Sequence, residues 1–256
     1  VHSRMADGSA GDADYGVIAP VYTGFRRPDP RIAAAIESAL GDAVTVLNVG
    51  AGAGSYEPEN RSVTAVEPSA SMRALRPPHR PAIDATAEHL PFPDDTFDAA
   101  MATFTVHQWS DLGAGLAETR RVTRGPVVVL TCDPGLVRRF WLYEYAPEVL
   151  DVEARRYPSI DDLARGLGGR VDVVPVPVPR DCVDGFNEAY YARPEMLLDP
   201  EARQACSAWS FVDDAVRQRF AVHLARDLAD GTWEREHGAL REREALDGSL
   251  VLVVAR

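Results

Sequence analysis

Apolar positions recur along the chain in two alternating rhythms. Residues 44–49, VTVLNV, form a nearly continuous apolar run, the pattern of a strand covered on both faces in a parallel sheet. Further strands are predicted over 62–66, near 80–84, over 97–102 and, most strongly, over 127–132, VVVLTC. Between them the spacing turns helical. Ile32, Ile36 and Leu40 predict a helix over about 30–40, entered at Pro28 and Pro30 and stopped at Gly41. Residues 69–76 predict a short helix capped by Ser69, and residues 111–123 a helix that buries Leu112, Leu116 and Val122. Strand, turn and helix in repeated order mark a doubly wound α/β sheet.

Beyond residue 133 the rhythm changes. Residues 135–168 are predicted to be mostly helical. A strand is predicted over 171–178, although Pro175, Pro177 and Pro179 alternate with valines. Proline cannot donate to a ladder, so this strand is expected to leave one side unpaired or to carry a bulge. Residues 184–246 are mainly helical, and SLVLVV over 249–254 is a terminal strand that inserts into or edges the same sheet. The expected organisation is an acidic, disordered tail over 1–14 followed by one domain over 15–256. That domain carries additions at about 134–168 and 180–246. Residues 15–27 read as aromatic and flexible.

Composition narrows the function. The chain has 256 residues, and a hydrophobic fraction of 46% excludes wholesale disorder. Its 39 acidic and 27 basic side chains give a formal charge of -12. That field argues against a broad basic face for nucleic acid and against anionic membranes. Cys132, Cys182 and Cys206 are widely spaced and form no zinc-type pair, which fits a reducing compartment. The expected location is cytoplasmic, because no run approaches the roughly 18 apolar residues of a membrane span and the amino end lacks a signal peptide's apolar core. Monomer and homodimer both stay open.

The most informative stretch is VLNVGAGAGSYE, 46–57. Gly50, Gly52 and Gly54 follow a strand directly, so the backbone can approach a ligand and take angles closed to larger residues. The second strand, in VTAVEPS, ends at Glu67. In a doubly wound sheet that places a carboxylate beside a nucleoside bound at the first strand's carboxyl end, where it can accept from both ribose hydroxyls. Nicotinamide-binding and S-adenosylmethionine-binding folds share this layout. The turn lacks the GxGxxG phrasing that presents a helix end to a pyrophosphate, and it lacks the GK[ST] of a P-loop.

Five segments together resemble the class I S-adenosylmethionine-dependent methyltransferases, in particular the "methyltransferase domain 11" group. They are VLNVGAGAG (46–54), VTAVEPS (63–69), AEHLPFPDDTFDAAMA (87–102), FTVHQW (104–109) and RRVTRGPVVVL (120–130). YTGFRRPDP (22–30) also resembles that group's cofactor-capping segment, and the likeness covers roughly residues 15–133. The resemblance implies an α/β, Rossmann-like class I methyltransferase sheet with helical cap insertions. It implies S-adenosyl-L-methionine as donor and S-adenosyl-L-homocysteine as product. It puts Gly50, Gly52 and Gly54 beneath the methionine part and Glu67 on the ribose. Met72, or the backbone near Pro68 and Ser69, would flank the adenine, and the backbone of Ala87 and Glu88 would meet its edge. Thr103 and Phe104 would line the donor's other side. Tyr22 and Arg26 would close over its methionine end, with Arg27 as the alternative partner for the carboxylate. Two positions depart from the pattern. Asn48 replaces a frequent acidic residue, and Thr86 replaces a frequent adenine-reading aspartate; Asp84 is an alternative carboxylate.

Methyl transfer needs alignment, exclusion of water and sometimes a base. No HExxH, cysteine cluster or acidic metal triad is present in the sequence, so no metal is expected. His107, in the loop after the fourth strand, is the candidate base, with a structural role as the alternative. The acceptor pocket is expected to draw on Tyr15, Tyr22 and Phe25, on Trp109, on Phe140, Trp141, Tyr143, Glu144 and Tyr145 of the first addition, and on Phe186, Tyr190, Tyr191 and Trp209 of the second. At least two of these aromatics are expected to touch substrate, although aromatics at helical spacing also simply pack a cap. The abundance of Ala, Arg, Gly and Pro resembles proteins of high-GC actinobacteria, whose relatives decorate secondary metabolites. The expected activity is therefore C- or N-methylation of a small aromatic or apolar metabolite, an indole-bearing natural-product precursor being the finer reading. The alternatives are O-methylation of a phenol or polyketide, and a non-catalytic regulator that binds S-adenosylmethionine on the same fold.

Overall fold

A computed structural model describes residues 7, 8 and 11–256; the side chains of residues 15, 17 and 20 lie outside the described part. Five strands run parallel in the order β3-β2-β1-β4-β5: β1 (Thr45–Val49), β2 (Ser62–Val66), β3 (Ala82–Ile83), β4 (Ala99–Thr103) and β5 (Val127–Cys132). β6 (Val171–Pro175) is the far edge of the sheet. β7 (Val178–Pro179) and β8 (Ala245–Leu246) form a separate two-stranded ribbon. β9 (Leu250–Ala255) inserts antiparallel between β5 and β6, with Val127 opposite Ala255 and Cys132 opposite Leu250. The terminal strand therefore completes the sheet from inside. β6 tolerates Pro175 because it is an edge, and the chain leaves the sheet after it.

Side chains of β5 alternate between two apolar layers. Val128 and Leu130 face Ile32, Ile36 and Leu40 of α2 (Pro30–Leu40), while Val127 and Val129 pack with Leu116, Leu163 and Leu167 on the opposite face. These residues are almost fully buried, and each such aliphatic side chain contributes roughly 1.5–3 kcal/mol. α2 keeps the predicted bounds, with Asp29 accepting from the Arg31 amide as its cap. α3 (Ala70–Ala74) is capped by Ser69, whose hydroxyl accepts from the Met72 amide. α4 (Leu112–Arg121) is capped by Asp111.

Residues 15–25, expected to be flexible, form α1 (Tyr15–Phe25), started by the Asp14 carboxylate accepting from the Gly16 amide. The tail is corrected in part as well. Asp12 pairs with Arg156, Ala13 is buried, and the Asp7 carbonyl accepts from the Ala70 amide. An acidic segment beside a basic side chain and free helix-end donors has partners to fold onto. Residues 1–6, 9 and 10 lie outside the described residues.

The first addition contributes α5 (Leu142–Tyr145), α6 (Pro147–Arg156) and α7 (Ile160–Leu167); α7 covers the sheet through Leu163 and Leu167. The second contributes α8 (Pro200–Gln204), α9 (Asp214–Ala229) and α10 (Thr232–His237), with several 3-10 turns between Asn187 and Glu242. Among the described residues, no helix is long and apolar enough to cross a membrane.

Candidate functional site

The carboxyl ends of β1, β2 and β4 open into a cleft lined by the glycine turn, Glu67 and the loop after β4. Its floor is the turn after β1. Gly50 and Gly52 take φ of 68° and 52°, a region that favours glycine. A Cβ at Gly50 would stand 2.0 Å from the Thr105 hydroxyl oxygen, so only glycine lets the turn and the β4 loop meet. Gly54, at φ 95°, lies below the cleft against Arg76.

Glu67 binds this turn directly. Its Oε2 accepts from the Gly52 amide at 2.7 Å, and its Oε1 accepts from the Ser69 amide at 2.8 Å. The carboxylate is thus fixed between the two strand ends while it lines the cleft. Burial raises its proton affinity above the ordinary carboxylate range, although both amides pull the other way.

Beneath the turn, Arg76 and Glu57 form an ion pair at 2.8 Å, and both side chains are about 2% exposed. Arg76 also donates to the carbonyls of Ala51 and Gly52. Asn48 belongs to this layer. Its Nδ2 donates to Glu57 Oε1, its residue is fully buried, and it does not line the cleft. The predicted contact of Asn48 with a ligand is therefore corrected to a supporting one, because β1 points its side chain under the turn. Thr86 is outside the cleft as well, whereas its neighbours Ala87 and Glu88 line it. Asp84 pairs with Arg73 at 3.2 Å.

Pro68, Met72, Thr103, Phe104 and Tyr22 complete the predicted lining. Glu88 accepts from the Ser110 hydroxyl and the Asp111 amide. Burial alone would raise its proton affinity, but these donors, with Thr86, bring it below the usual range. Sequence reasoning missed Thr105 and Gln108. Gln108 is 8% exposed, and among the described residues neither its Oε1 nor its Nε2 has a partner in the cleft wall, nor does Trp109 Nε1. Buried amide groups are rarely left unsatisfied, so this wall is built for a polar ligand. The polar QW pair directly after His107 was the available signal.

Phe104 and Tyr22 form a partition. Phe104 is a non-glycine residue at φ 51°, a strained angle that turns its ring between the cleft and a second cavity of about 430 Å³. That cavity is lined by Arg26, His107, Glu153, Tyr157, Phe186 and Cys206, among others. Phe186 stands 5.3 Å from Phe104, ring centre to ring centre. Arg26 lies over Phe104 at 4.9 Å and over Tyr22 at 5.5 Å. Its Nε donates to Asp184 at 2.6 Å, and Tyr56 donates to the same carboxylate. Burial would lower the Arg26 proton affinity, but Asp184 holds it well above its ordinary value. Arg27 is exposed.

His107 stands edge-on to Tyr157 at 4.7 Å, and its buried Nδ1 has no partner among the described residues. Burial first, then the charges of Arg156 and Arg26, push its pKa well below the usual imidazole range. The ring is neutral at physiological pH.

Most of the aromatics expected in an acceptor pocket lie elsewhere. Trp109 lines the first cleft. Trp141 donates to the Tyr191 carbonyl and packs edge-on to Tyr145 and Trp233. Tyr145 donates to Asp227, and Tyr191 donates to the Arg243 carbonyl. Tyr190 is 3% exposed against Arg193. The polar tips of Trp141, Tyr145 and Tyr191 find partners inside the helical cap, and none of the four rings borders the two cavities above, although Trp141 and Tyr191 line a separate cap cavity with Glu144. Phe25 is half-buried and ties its carbonyl to the Gly185 amide. The side chain of Tyr15 lies outside the described residues. Glu144 is exposed and pairs with His237 at 3.2 Å; with Glu236 they bring three ligand atoms within 4.8 Å of one another on the cap.

Comparison with known proteins agrees with this geometry. The profile of a family described as "Methyltransferase domain" matches residues 47–129. A solved protein of Anabaena variabilis ATCC 29413, provisionally described as a methyltransferase from an antibiotic biosynthesis pathway, is 30% identical. It superposes with a TM-score of 0.84, over 91% of this chain and 99% of that one. The geranyl diphosphate C-methyltransferase of Streptomyces coelicolor A3(2) is similar in fold alone, with 16% identity and a TM-score of 0.51 over 100% of this chain and 91% of that one. An uncharacterized Escherichia coli K12 protein, YafE, is 40% identical over 60 residues, which span 22% of this chain and 29% of that protein.

Proposed function

The chain belongs to the class I S-adenosylmethionine-dependent methyltransferases, and from that premise we propose that it methylates a small, planar aromatic or apolar metabolite held in the second cavity. The observation that carries this reading is the shared partition, since Tyr22 and Phe104 line both the glycine-turn cleft and the neighbouring cavity. Tyr22 and Phe104 thus border both sites, and transfer requires the methyl carbon and the acceptor atom to meet past the edges of these rings, within about 3–3.5 Å.

The cleft residues fit the donor. Glu67 keeps lone pairs on both oxygens for ribose hydroxyls beyond the two amides it already accepts from. Gln108 and Trp109 offer buried polar atoms without partners among the described residues. Met72 and Ala87 supply apolar surface for an adenine, and Glu88 offers a carboxylate beside them. Tyr22 borders the cleft on the expected methionine side, whereas Arg26, the inward one of the arginine pair, lines the second cavity and pairs with Asp184, so its reach to the donor is only through Tyr22 and Phe104. When bound, S-adenosylmethionine supplies a methyl group on a sulfonium, which needs no further activation. The protein aligns the acceptor, excludes water and receives any proton.

Phe104, Phe186 and Tyr157 favour a flat, apolar acceptor in the second cavity. Among the described residues His107 Nδ1 has no partner, so the neutral ring is suited to accept a hydrogen bond from a second polar group of the acceptor. An indole-bearing natural-product precursor suits the aromatic and polar lining, and the pathway named for the Anabaena protein supports a natural-product setting. The test is a mass-shift screen of indoles, phenols and aromatic amines with S-adenosylmethionine. Methylated product with stoichiometric S-adenosylhomocysteine is expected. Donor binding with no transfer to any of the three classes would contradict the reading.

A further inference from the structure

We propose that Glu153 takes the acceptor's proton during transfer, and that the second cavity is built for planar acceptors with one transferable N–H or O–H. This rests on the methyl-transfer reading above.

The geometry singles out this carboxylate. Glu153 lies on α6, one turn before Tyr157, and both line the second cavity beside Phe186. Its Oε1 accepts from Asn187 Nδ2 at 3.1 Å. The Asn187 Oδ1 in turn accepts from Trp209 Nε1 at 3.0 Å, which fixes which way the amide points. Among the described residues, no hydrogen bond reaches Glu153 Oε2. One oxygen is held by Asn187, and the side chain borders the second cavity. The same side chain also borders a deeper cavity of about 260 Å³ with Cys132, Asn187 and Glu188.

The groups around it tune the carboxylate. Arg156 and Tyr157 face it from its own helical segment, Arg26 from the end of α1, Cys132 from β5, Glu188 from the turn after Phe186, and Cys206 from the end of α8. Burial and Glu188 lift its pKa, while the Asn187 bond and the two arginines lower it, leaving it at about 7. Both arginines have committed partners. Arg156 binds Asp12 and Ser207, and Arg26 binds Asp184, so neither forms a closed ion pair with Glu153. A general base works best near the working pH. His107, pushed well below its usual range, holds a proton too weakly for the same task.

The step balances without another reactant. The acceptor's lone pair forms the bond to the methyl carbon, and the carbon–sulfur bond breaks with its pair going to sulfur. The acceptor's proton passes to Glu153 Oε2, and from the neutral carboxyl to solvent after product leaves.

Full-length protein and its Glu153→Gln and Glu153→Asp variants test this against indole, tryptamine, phenol and aniline. For each acceptor turned over, Glu153→Gln should lower kcat by about 10²–10⁴-fold and remove the pH limb near neutrality. S-adenosylhomocysteine affinity, read by calorimetry, should stay within about twofold. Glu153→Asp, which keeps the charge but retracts it, should recover part of the rate. Infrared difference titration of acceptor-free protein should show two carboxyls losing their protons between about pH 6 and 8, those of Glu153 and Glu188, and Glu153→Gln should remove the Glu153 carboxyl while the Glu188 signal stays. Transfer by Glu153→Gln within threefold of the unaltered protein, or a titration without the Glu153 carboxyl, overturns the assignment of Glu153 alone. Failure of the unaltered protein to methylate any of the four overturns the function and the assignment together.

Discussion

The Glu67 carboxylate accepts a hydrogen bond from the Gly52 amide at 2.7 Å. This contact joins the end of β2 to the glycine turn after β1. Two features far apart in the sequence pattern, a carboxylate after a strand and an alternating glycine run, are one physical unit. A side chain held by backbone amides has little rotamer freedom left to lose on binding, which is the preorganisation a tight polar contact requires.

Gly50 sets the closeness of the turn to the β4 loop. Gly50→Ala places a Cβ 2.0 Å from Thr105 Oγ1 in a backbone region with φ 68°. The expected cost is about 2–4 kcal/mol of stability from overpacking and backbone strain, read as a lowered urea midpoint. Adding Thr105→Gly removes the clash and leaves the strain, so the double variant should recover part of the loss. No recovery would show that Thr105 is not what Gly50 accommodates.

The buried ion pair under the turn makes a second prediction. Glu57→Ala strands the Arg76 guanidinium among the Ala51 and Gly52 carbonyls. Breaking one side of such a pair costs roughly 3–5 kcal/mol, and donor affinity should fall with it. Glu57→Ala/Arg76→Met should be more stable than Glu57→Ala, because no unpaired charge remains. Equal denaturation midpoints for the two variants would contradict that account.

Glu188 supplies a pH prediction. Both its oxygens accept from the Ser249 amide, and burial lifts its pKa from 4.5 to about 7. The folded protein therefore holds a proton that the unfolded chain releases. The stability this contributes is fully present below about pH 4.5 and is lost as pH rises through about 7. Glu188→Gln should match the unaltered protein near pH 5 and exceed it near pH 8, by up to roughly 3 kcal/mol at about 1.4 kcal/mol per pK unit. Thermal melts at the two pH values decide it, and a difference that does not grow with pH would refute it.

The sheet was legible because its strands are continuous apolar runs and its helices carry apolar stripes with caps at their ends. Ser69 and Gly41 mark their boundaries in the structure as their chemistry predicts. Residues 15–25 were not legible as a helix, since their small and aromatic residues carry no strong stripe and the cap, Asp14, sits inside an acidic run. The glycine turn, Glu67, Pro68, Met72, Ala87, Thr103 and Phe104 could be read because they sit at strand ends, which the topology brings together. Asn48 could not, because its face depends on the pleat of β1. The acceptor side was the least legible. Trp141, Tyr145, Tyr190 and Tyr191 have the spacing of either packing or binding, and in the cap packing prevails. Glu153 carried a usable signal. It falls one turn after Val149 and Leu150 on the buried stripe of α6, where a carboxylate is out of place unless it serves a cavity.

Calorimetric binding of S-adenosylhomocysteine to the unaltered protein and to Glu67→Ala tests the central claim most directly. The account predicts saturable binding at one site and a loss of about 1–3 kcal/mol in the variant, which is about 5- to 150-fold in Kd. Because burial raises the Glu67 pKa, affinity should also weaken on acidification before an ordinary carboxylate would titrate, and Glu67→Ala should lack that dependence. Equal affinity of the two proteins at neutral pH would contradict the placement of the donor in the glycine-turn cleft.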